Sequence, residues 1–374
     1  MSRRDAVNRP FGVLLVDKPA GPTSHDVVGW VRWGLRVREV GHCGTLDPAA
    51  TGLLVLCVGG ATRLVSHLSR DHKHYEAVFS LGVGTDTLDA QGQCVTRAAV
   101  DAATHARAVT AVEALVGTHM LPPPRYSAVK VQGVRAHEAA RKGIDLALAP
   151  RAMAVLSVDE VSMHTHGGPW GMLPSVSATL AVRKGTYIRS LAELLGAQVQ
   201  VPCHLASLRR VGAGRATLRP ADTGWEVLAP TASRAAAADD GPATRRPPPW
   251  RLSLGCAREA LEARLRSAIR PPWPLVSFPS VVASSDASRG EFARLAQGQR
   301  LSGASSLAGM IHASRGGAES ATPNGAASAD GEDNSREDAP HVVVRPARDT
   351  GDVAAILVRV GEGGRIEPAR VVRR

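Results

Sequence analysis

Short apolar runs alternate with longer segments of helical periodicity between about Gly12 and Gly212. GVLLVDK and LLVLCVG are short, rich in Val and Leu and bounded by Gly and Pro, which predicts β-strands. YEAVFSLGVG alternates apolar and polar positions, as a half-buried strand does. AATHARAVTAVEALVG and YIRSLAELLGAQV carry apolar residues at helical spacing. Because the strands and helices do not alternate strictly, the pattern predicts an α+β fold.

The pattern changes after Pro220, where TASRAAAADDGPATRRPPP has no apolar period and predicts a linker. CAREALEARLRSAI and EFARLAQGQRL regain helical spacing, whereas the composition of residues 302–340 is typical of disorder. HVVVRP and AAILVRVGEGGRIEPARVV predict strands. We therefore expect a first domain at 11–220, a linker at 221–250 and a small β-rich module at 251–374, which a disordered insertion interrupts at about 302–340.

The net charge of the chain indicates a class of binding partner. The 374 residues include 45 Lys+Arg and 34 Asp+Glu, for a net charge of +11. Such a surplus favours a polyanionic partner, because binding phosphates releases counterions. The 5 cysteines are scattered and never spaced as C-x-x-C, so we expect neither a disulfide framework nor a zinc ribbon. No signal peptide and no membrane-spanning run fits the sequence, so we expect a cytoplasmic protein without membrane contact.

One candidate for chemistry is Asp47 in GHCGTLDPAATG. A loop aspartate is ordinarily a turn former, but Gly44 and Pro48 beside it can also hold one carboxylate rigidly at the end of a strand. LGVGTDTLDAQG lacks the G-K-[ST] of a phosphate loop and the ligand spacing of a calcium loop, so we expect no nucleotide or metal there. HLSRDHKHY, which contains Lys73, predicts a basic, solvent-facing RNA contact.

The 3 tyrosines of the chain are Tyr75, Tyr126 and Tyr187, and each lies near a Lys or Arg. An aromatic ring beside a cation suits stacking on an unpaired base. A tyrosine that packs with its hydroxyl satisfied would give the same pattern. The residues alone leave both interpretations open.

Five segments, spanning roughly residues 11 to 215, together resemble the TruB-type tRNA pseudouridine synthases and follow that family's order. They are GVLLVDKPAGPTSHDVV, VGHCGTLDPAATGLLVL, KHYEAVFSLGVGTDTLDAQG, PPPRYSAVKVQGVRAHEAARKG, and RKGTYIRSLAELLG followed by HLASLRRVGAG. The resemblance implies the pseudouridine synthase fold, a mixed and largely antiparallel sheet flanked by helices, with a PUA-like RNA-binding module at the C-terminus. It implies isomerisation of the T-loop uridine (position 55) of tRNA, which flips out of its stack, without cofactor or metal. The T-arm is the expected partner, and nothing indicates an obligate protein partner.

The resemblance also implies roles for individual residues. Asp47 would be the catalytic carboxylate, and Arg189 would pair with it, keeping it ionised and aimed. Tyr75 would be a further catalytic residue, which stacks on the target uracil and assists the proton transfer at C5. The remaining implied roles are the pocket wall for Tyr187 and Leu208, entry into the T-loop for His42, and support of the active-site loop for Lys18 and Pro19.

Several alternatives stay open at this point. The first step could be attack on C1′, attack on C6 or proton abstraction, and each uses the same carboxylate. A non-catalytic tRNA-binding factor on the same scaffold is a second hypothesis. A glycoside or nucleoside hydrolase is a third, although such enzymes commonly use two carboxylates and no second acid accompanies Asp47 in its loop.

Overall fold

A computed structural model describes most of the chain, with gaps that lie mainly in its last third. The described residues are 10–131, 133–219, 224–234, 250–275, 280–283, 286–297, 299–302, 305–308, 310–311, 341–346, 353–360 and 366–373. Their helices are α1 (Ser24–Leu35), α2 (Val65–Leu68), α3 (Ala102–Glu113), α4 (Ala136–Arg141), α5 (Ile188–Val199), α6 (Arg258–Ala268) and α7 (Asp286–Ala296). Two 3-10 helices span Gly59–Leu64 and Trp273–Leu275.

A ten-stranded mixed sheet organises the first two thirds of the chain. Its strands are β1 (Gly12–Lys18), β2 (Val40–His42), β3 (Thr51–Val58), β4 (Lys73–Leu81), β7 (Gly117–Leu121), β10 (Arg151–Gly168), β11 (Gly171–Val182), β12 (Cys203–Ala213), β13 (Ala216–Thr217) and β14 (Val227–Leu228). The order is β14-β1-β3-β12-β4-β11-β10-β7, with β2 beside β3 and β13 beside β12. Only β1–β14 and β3–β12 pair in parallel among these strands. The predicted α+β fold with a mixed, largely antiparallel sheet is thus confirmed.

Six short strands form three two-stranded ladders outside this sheet, with two to four residue pairs in each. Two of these ladders are β5 (Val83–Thr85) with β6 (Cys94–Arg97), and β8 (Lys130–Val131) with β9 (Val134–Arg135). A further pair is formed by β15 (Thr231–Arg234) and β16 (Trp250–Ser253).

The central strands β1 and β3 read as unbroken apolar runs because both faces of the sheet are covered there. On one face, Leu14 and Leu56 pack under α1 and α6. On the other face, Val13 and Val55 join a core that reaches the C-terminal strands. The predicted strands GVLLVDK and LLVLCVG are therefore present, and their continuous hydrophobicity reflects burial on two sides.

Two helical layers lie on one face of the sheet, and we call the junction between them the cleft. Helix α1 begins with a capping box in which Thr23 and Asp26 exchange side-chain to backbone hydrogen bonds. Helices α3 and α5 cover the other half of the same face through Phe79 and its neighbours on β4. Tyr75 and Leu208 contact both apolar clusters, so they mark the junction between the two halves.

The predicted linker at 221–250 is partly wrong. Trp225 and Leu228 are buried, and the strand β14 extends the main sheet by pairing with β1. Residues 235–249, which are the core of that prediction, lie outside the described residues. Helix α6 also belongs with the first domain, since its Leu261 and Leu265 pack against α1. The first domain therefore extends beyond residue 220, because its sheet and helical layer draw on later segments.

The C-terminal strands form a separate four-stranded sheet. Its members are β17 (Ser280–Ala283), β18 (His341–Pro346), β19 (Val353–Val360) and β20 (Ile366–Arg373), in that order. Helix α7 packs on it through Phe292 and Leu295. Leu307 and Ile311 are buried in the same core, so the prediction of disorder is wrong for them. Residues 312–340, most of the predicted insertion, lie outside the described residues.

Across the described part of the chain, helices of sufficient length and apolar character to cross a bilayer are absent.

We expect Gly52→Ala and Gly29→Ala to change stability in opposite directions. Gly52 has φ +101°, and a Cβ there would lie 2.2 Å from the backbone oxygen of Arg210, where β3 meets β12. Gly29 lies in the exposed part of α1, and a Cβ there meets nothing within 4 Å. Urea unfolding should show a loss of more than about 1 kcal/mol for Gly52→Ala and a gain of about 1 kcal/mol for Gly29→Ala. Equal changes in the free energy of unfolding for the two variants would contradict the close approach of β3 and β12 at Gly52.

Candidate active site

Asp47 lies in the connection between β2 and β3, residues 43–50, which we call the Asp47 loop. The loop is tied to helix α1 by Ser24, whose buried hydroxyl accepts from the Leu46 N–H at 2.8 Å and donates to the Leu46 carbonyl at 3.1 Å. A turn closes at the acid itself, where the Ala50 N–H donates to the Asp47 carbonyl at 3.1 Å. Gly44 adopts φ +117°, a conformation that favours glycine. The loop thus presents its one carboxylate from a fixed backbone.

The predicted partner of Asp47 is present. One Arg189 terminal nitrogen lies 2.9 Å from an Asp47 carboxylate oxygen and also donates to the Tyr126 carbonyl at 3.0 Å. The other donates to the Thr87 carbonyl at 3.1 Å and lies 3.8 Å from an oxygen of Asp89. Arg189 is only 5% exposed. Its planar guanidinium is therefore held on both edges, and one edge is aimed at the carboxylate.

The pKa of Asp47 reflects opposing influences. Burial is the largest and raises the pKa of Asp47 above its ordinary value, Arg189 lowers it, and Asp89 raises it. Arg189 therefore limits the rise in the pKa of Asp47, but it does not bring this pKa below its ordinary value. The Asp47 side chain remains 39% exposed, so water solvates the carboxyl from the open side and moderates the effect of burial.

Tyr75 and Leu208 lie on the adjacent strands β4 and β12. On β4 and β12 the register places Leu208 opposite Ala77 and Arg210 opposite Tyr75. Both Tyr75 and Leu208 are half-buried. They form an apolar floor at the junction of the two helical layers, which is the kind of surface that a flat base can stack on.

Tyr187 and His42 bound the cleft at other points. Tyr187 immediately precedes α5, and burial raises the pKa of its phenol, with Arg151 and Arg189 opposing. His42 ends β2, where burial lowers the pKa of its imidazole, with smaller contributions from His25 and Arg210. Both shifts favour the neutral side chain at neutral pH. The His42 Nδ1 is buried and has no hydrogen-bond partner in the part of the chain that the structure describes.

Lys18 supports the Asp47 loop from behind, as predicted for it and Pro19. Its fully buried ammonium donates to the carbonyls of Pro19, Pro22 and Pro48 at 2.9, 2.8 and 3.1 Å. Burial lowers the pKa of Lys18 to about 8, partly offset by Asp47. The lysine connects the end of β1 with the residue that follows Asp47.

Asp89 is a residue that sequence reasoning missed as part of this site. Its side chain is 13% exposed, and its carboxylate accepts from the Thr87 hydroxyl at 2.6 Å and the Gln91 N–H at 3.0 Å. Its distance of 42 residues from Asp47 along the chain gives no signal that both flank Arg189. A second carboxylate is therefore near the first, although the same guanidinium lies between them.

An open cleft of about 610 Å³ lies on the opposite face of the sheet. His74 and Glu76 of β4 line it, and strand alternation directs them away from Tyr75. The Asp47 site is therefore not part of this cleft. Within the described residues, no group of three or more His, Cys, Asp or Glu side chains could hold a metal ion.

Known structures share the architecture. The Cbf5-Nop10-Gar1 crystal structure contains a chain that superposes with a TM-score of 0.59 at 20% identity, covering 100% of this chain and 87% of that one. A chain of an H/ACA ribonucleoprotein bound to a substrate RNA gives a TM-score of 0.58 at 19% identity, covering 97% of this chain and 86% of that one. At these identities the match concerns the fold.

Other proteins match this chain at higher sequence identity than these structures do. The N-terminal domain of the TruB family of pseudouridylate synthases matches residues 32–188. The tRNA pseudouridine synthase B of Thermobifida fusca is 43% identical over 255 residues, 67% of this chain and 84% of that protein. The protein of the same name from Opitutus terrae is 40% identical over 212 residues, 57% of this chain and 85% of that protein. The chain therefore belongs to the TruB family of pseudouridylate synthases.

Proposed function

We propose that this protein isomerises the uridine at position 55 in the T-loop of tRNA to pseudouridine, with Asp47 as the catalytic carboxylate. Relatives named tRNA pseudouridine synthase B support tRNA as the substrate. The observation that carries the proposal is the Asp47–Arg189 pair at 2.9 Å. Tyr75 and Leu208 lie at the junction of the two helical layers.

The reaction breaks the bond between C1′ and N1 of uridine and joins C1′ to C5. C5 loses its hydrogen as a proton, and N1 takes up a proton. Asp47 is the group that acts on the ribose or the base, and the three possible first steps all require its ionised form. Arg189 orients this carboxylate and opposes its protonation. The reaction is an isomerisation, so its atoms balance without a redox partner.

The other residues would receive the flipped nucleotide. Tyr75 stacks on the uracil, and Tyr187 and Leu208 close the wall of the pocket around it. His42 enters the space in the T-loop that the uridine leaves, offsetting a few kcal/mol of lost stacking. A neutral imidazole, which burial favours here, can stack among bases without carrying a charge into them.

The C-terminal sheet β17-β18-β19-β20 with α7 is, in this proposal, the PUA-like RNA-binding module. Its strands Val353–Val360 and Ile366–Arg373 coincide with the segment that suggested such a module. Its core is shared with the first domain through Val343, Leu357 and Val372. This shared core would hold the module at a fixed distance from the catalytic cleft.

Asp47→Asn tests the assignment directly. The variant keeps the size of the side chain but removes its charge, so release of tritium from tRNA carrying 5-tritiated uridine should fall at least about a thousandfold. Binding of tRNA should remain within a few fold. Asp159→Asn, at an exposed position of β10, serves as the control and should keep normal activity. Pseudouridine at position 55 made by Asp47→Asn at the normal rate would overturn the proposal, and free uracil would indicate a hydrolase.

The pH dependence should respond in opposite directions to two substitutions around Asp47. The rate should fall as the pH drops through the pKa of Asp47, because only the ionised carboxylate acts. Arg189→Gln removes a charge that lowers this pKa, so the acid limb should move to higher pH. Asp89→Asn removes a charge that raises it, so the limb should move to lower pH. Single-turnover rates against pH measure both, and shifts in the same direction would contradict the arrangement.

Affinity for tRNA should depend steeply on salt, given the net charge of +11. Between about 50 and 200 mM KCl we expect the dissociation constant to rise by one to two orders of magnitude, because phosphate contacts release counterions. Filter binding with the inactive Asp47→Asn protein measures this without turnover. A salt-independent affinity would be incompatible with phosphate-dominated binding.

A further inference from the structure

Three cations are buried next to the Asp47 loop. Lys18, Lys73 and Arg210 are 0%, 5% and 1% exposed. In the described part of the chain their hydrogen bonds go to backbone carbonyls, and none of the three forms a salt bridge with a carboxylate. The Lys73 ammonium donates to the carbonyls of Ser69 and Asp71, so the predicted solvent-facing contact is wrong for this residue. Burying unpaired charge is costly, which makes the arrangement informative.

Arg210 is the member of this group that reaches the Asp47 loop. Its Nε donates to the Leu53 carbonyl on β3 at 2.7 Å. Its two terminal nitrogens donate to the carbonyls of Thr45 and Gly44 at 3.3 and 3.1 Å. One rigid side chain from β12 therefore connects the following strand with the two residues that lie two and three positions before Asp47.

An arginine suits this position better than a lysine. The guanidinium presents donors in a fixed planar fork and stays charged at every physiological pH. Burial lowers the pKa of Lys73 and of Lys18 to about 8, and Arg210 contributes to both shifts. Lysines with such pKa values lose much of their charge just above neutral pH, whereas Arg210 keeps its hydrogen bonds in full.

The neighbouring arginine has a different environment. Arg209 points to the opposite face of the sheet, where it forms a two-pronged salt bridge with Asp17 at 3.0 and 2.7 Å. Its side chain is 37% exposed. Two consecutive arginines thus have distinct partners, and Arg209 provides a matched control for Arg210.

We propose that Arg210 is a positioning residue for the isomerisation, which fixes the direction of the Asp47 carboxylate through the carbonyls of Gly44 and Thr45. This inference rests on the proposed function. Gly44 has no side chain to restrain it, and its φ of +117° lies in a region that glycine samples freely. Without the guanidinium of Arg210, the carbonyls of Gly44 and Thr45 would lose the hydrogen bonds that it donates. The backbone before Asp47 would then be less restrained, and the Asp47 carboxylate would adopt a wider range of orientations. Misplacement by about 1 Å can cost a hundredfold in rate.

The test compares Arg210→Lys with Arg209→Lys. Below the pKa of about 8 that burial gives Lys18 and Lys73, both variants keep the positive charge, so an effect of charge alone predicts no loss of rate in either. The positioning role predicts that Arg210→Lys lowers the single-turnover rate on tRNA about a hundredfold, while the tRNA dissociation constant stays within about threefold and the acid limb of the pH profile stays in place. Arg209→Lys should retain nearly the full rate.

The outcomes separate this inference from the proposed function. If wild-type protein forms no pseudouridine, the proposed function fails. If wild type is active and Arg210→Lys matches it, or loses rate only in proportion to tRNA affinity, the positioning role is rejected. Melting curves with saturating tRNA establish folding for Arg210→Lys and for Arg210→Gln. If neither variant folds, Arg210 is a determinant of stability, and the positioning role is rejected as well.

Discussion

The Asp47 loop turns several backbone carbonyls toward the interior, and each of them needs a donor. An unsatisfied buried carbonyl costs about 1–3 kcal/mol, so a loop of this kind would not stay in place unaided. Lys18 supplies the Pro48 carbonyl, Ser24 supplies Leu46, and Arg210 supplies Gly44 and Thr45. These donors come from the end of β1, the start of α1 and the middle of β12. The position of Asp47 is therefore stabilised by three elements that the sheet topology brings together.

The buried carbonyls of the Asp47 loop also explain why several of their donors are charged side chains. Hydrogen bonds from charged groups contribute about 1.5–3 kcal/mol, roughly twice the neutral value, and one ammonium or guanidinium can satisfy three carbonyls at once. The positive field that results lies close to Asp47, and Lys18 lowers the pKa of that carboxyl. Lys18 thus both supports the backbone of the loop and stabilises the ionised acid.

On the open side of the loop, Arg189 connects the acid with the rest of the cleft. It lies between Asp47 and Asp89 and is anchored on the carbonyls of Thr87 and Tyr126. Asp89 competes with Asp47 for the guanidinium and raises the pKa of Asp47. How strongly Arg189 interacts with Asp47 rather than with Asp89 determines how far it offsets the rise in the pKa of Asp47 that burial causes.

The sequence by itself determined the strands GVLLVDK and LLVLCVG, the helix that begins after Tyr187, the mixed α+β class and the pairing of Asp47 with Arg189. Periodicity and ordered motifs carry that information, because both depend on local spacing and on the family pattern. Only the tertiary structure decided that Trp225, Leu228 and Leu261 complete the first domain, since an apolar residue in a Pro-rich or charged segment has no local signature of its partner. The same holds for Asp89, Lys73 and Arg210. Whether a charged side chain faces water, a carboxylate or a set of buried carbonyls depends on which strands lie beside its own. The hydrogen-bond partners of Arg210, for example, include carbonyls 157 and 166 positions away in the chain. Contacts over such distances leave no trace in the local sequence.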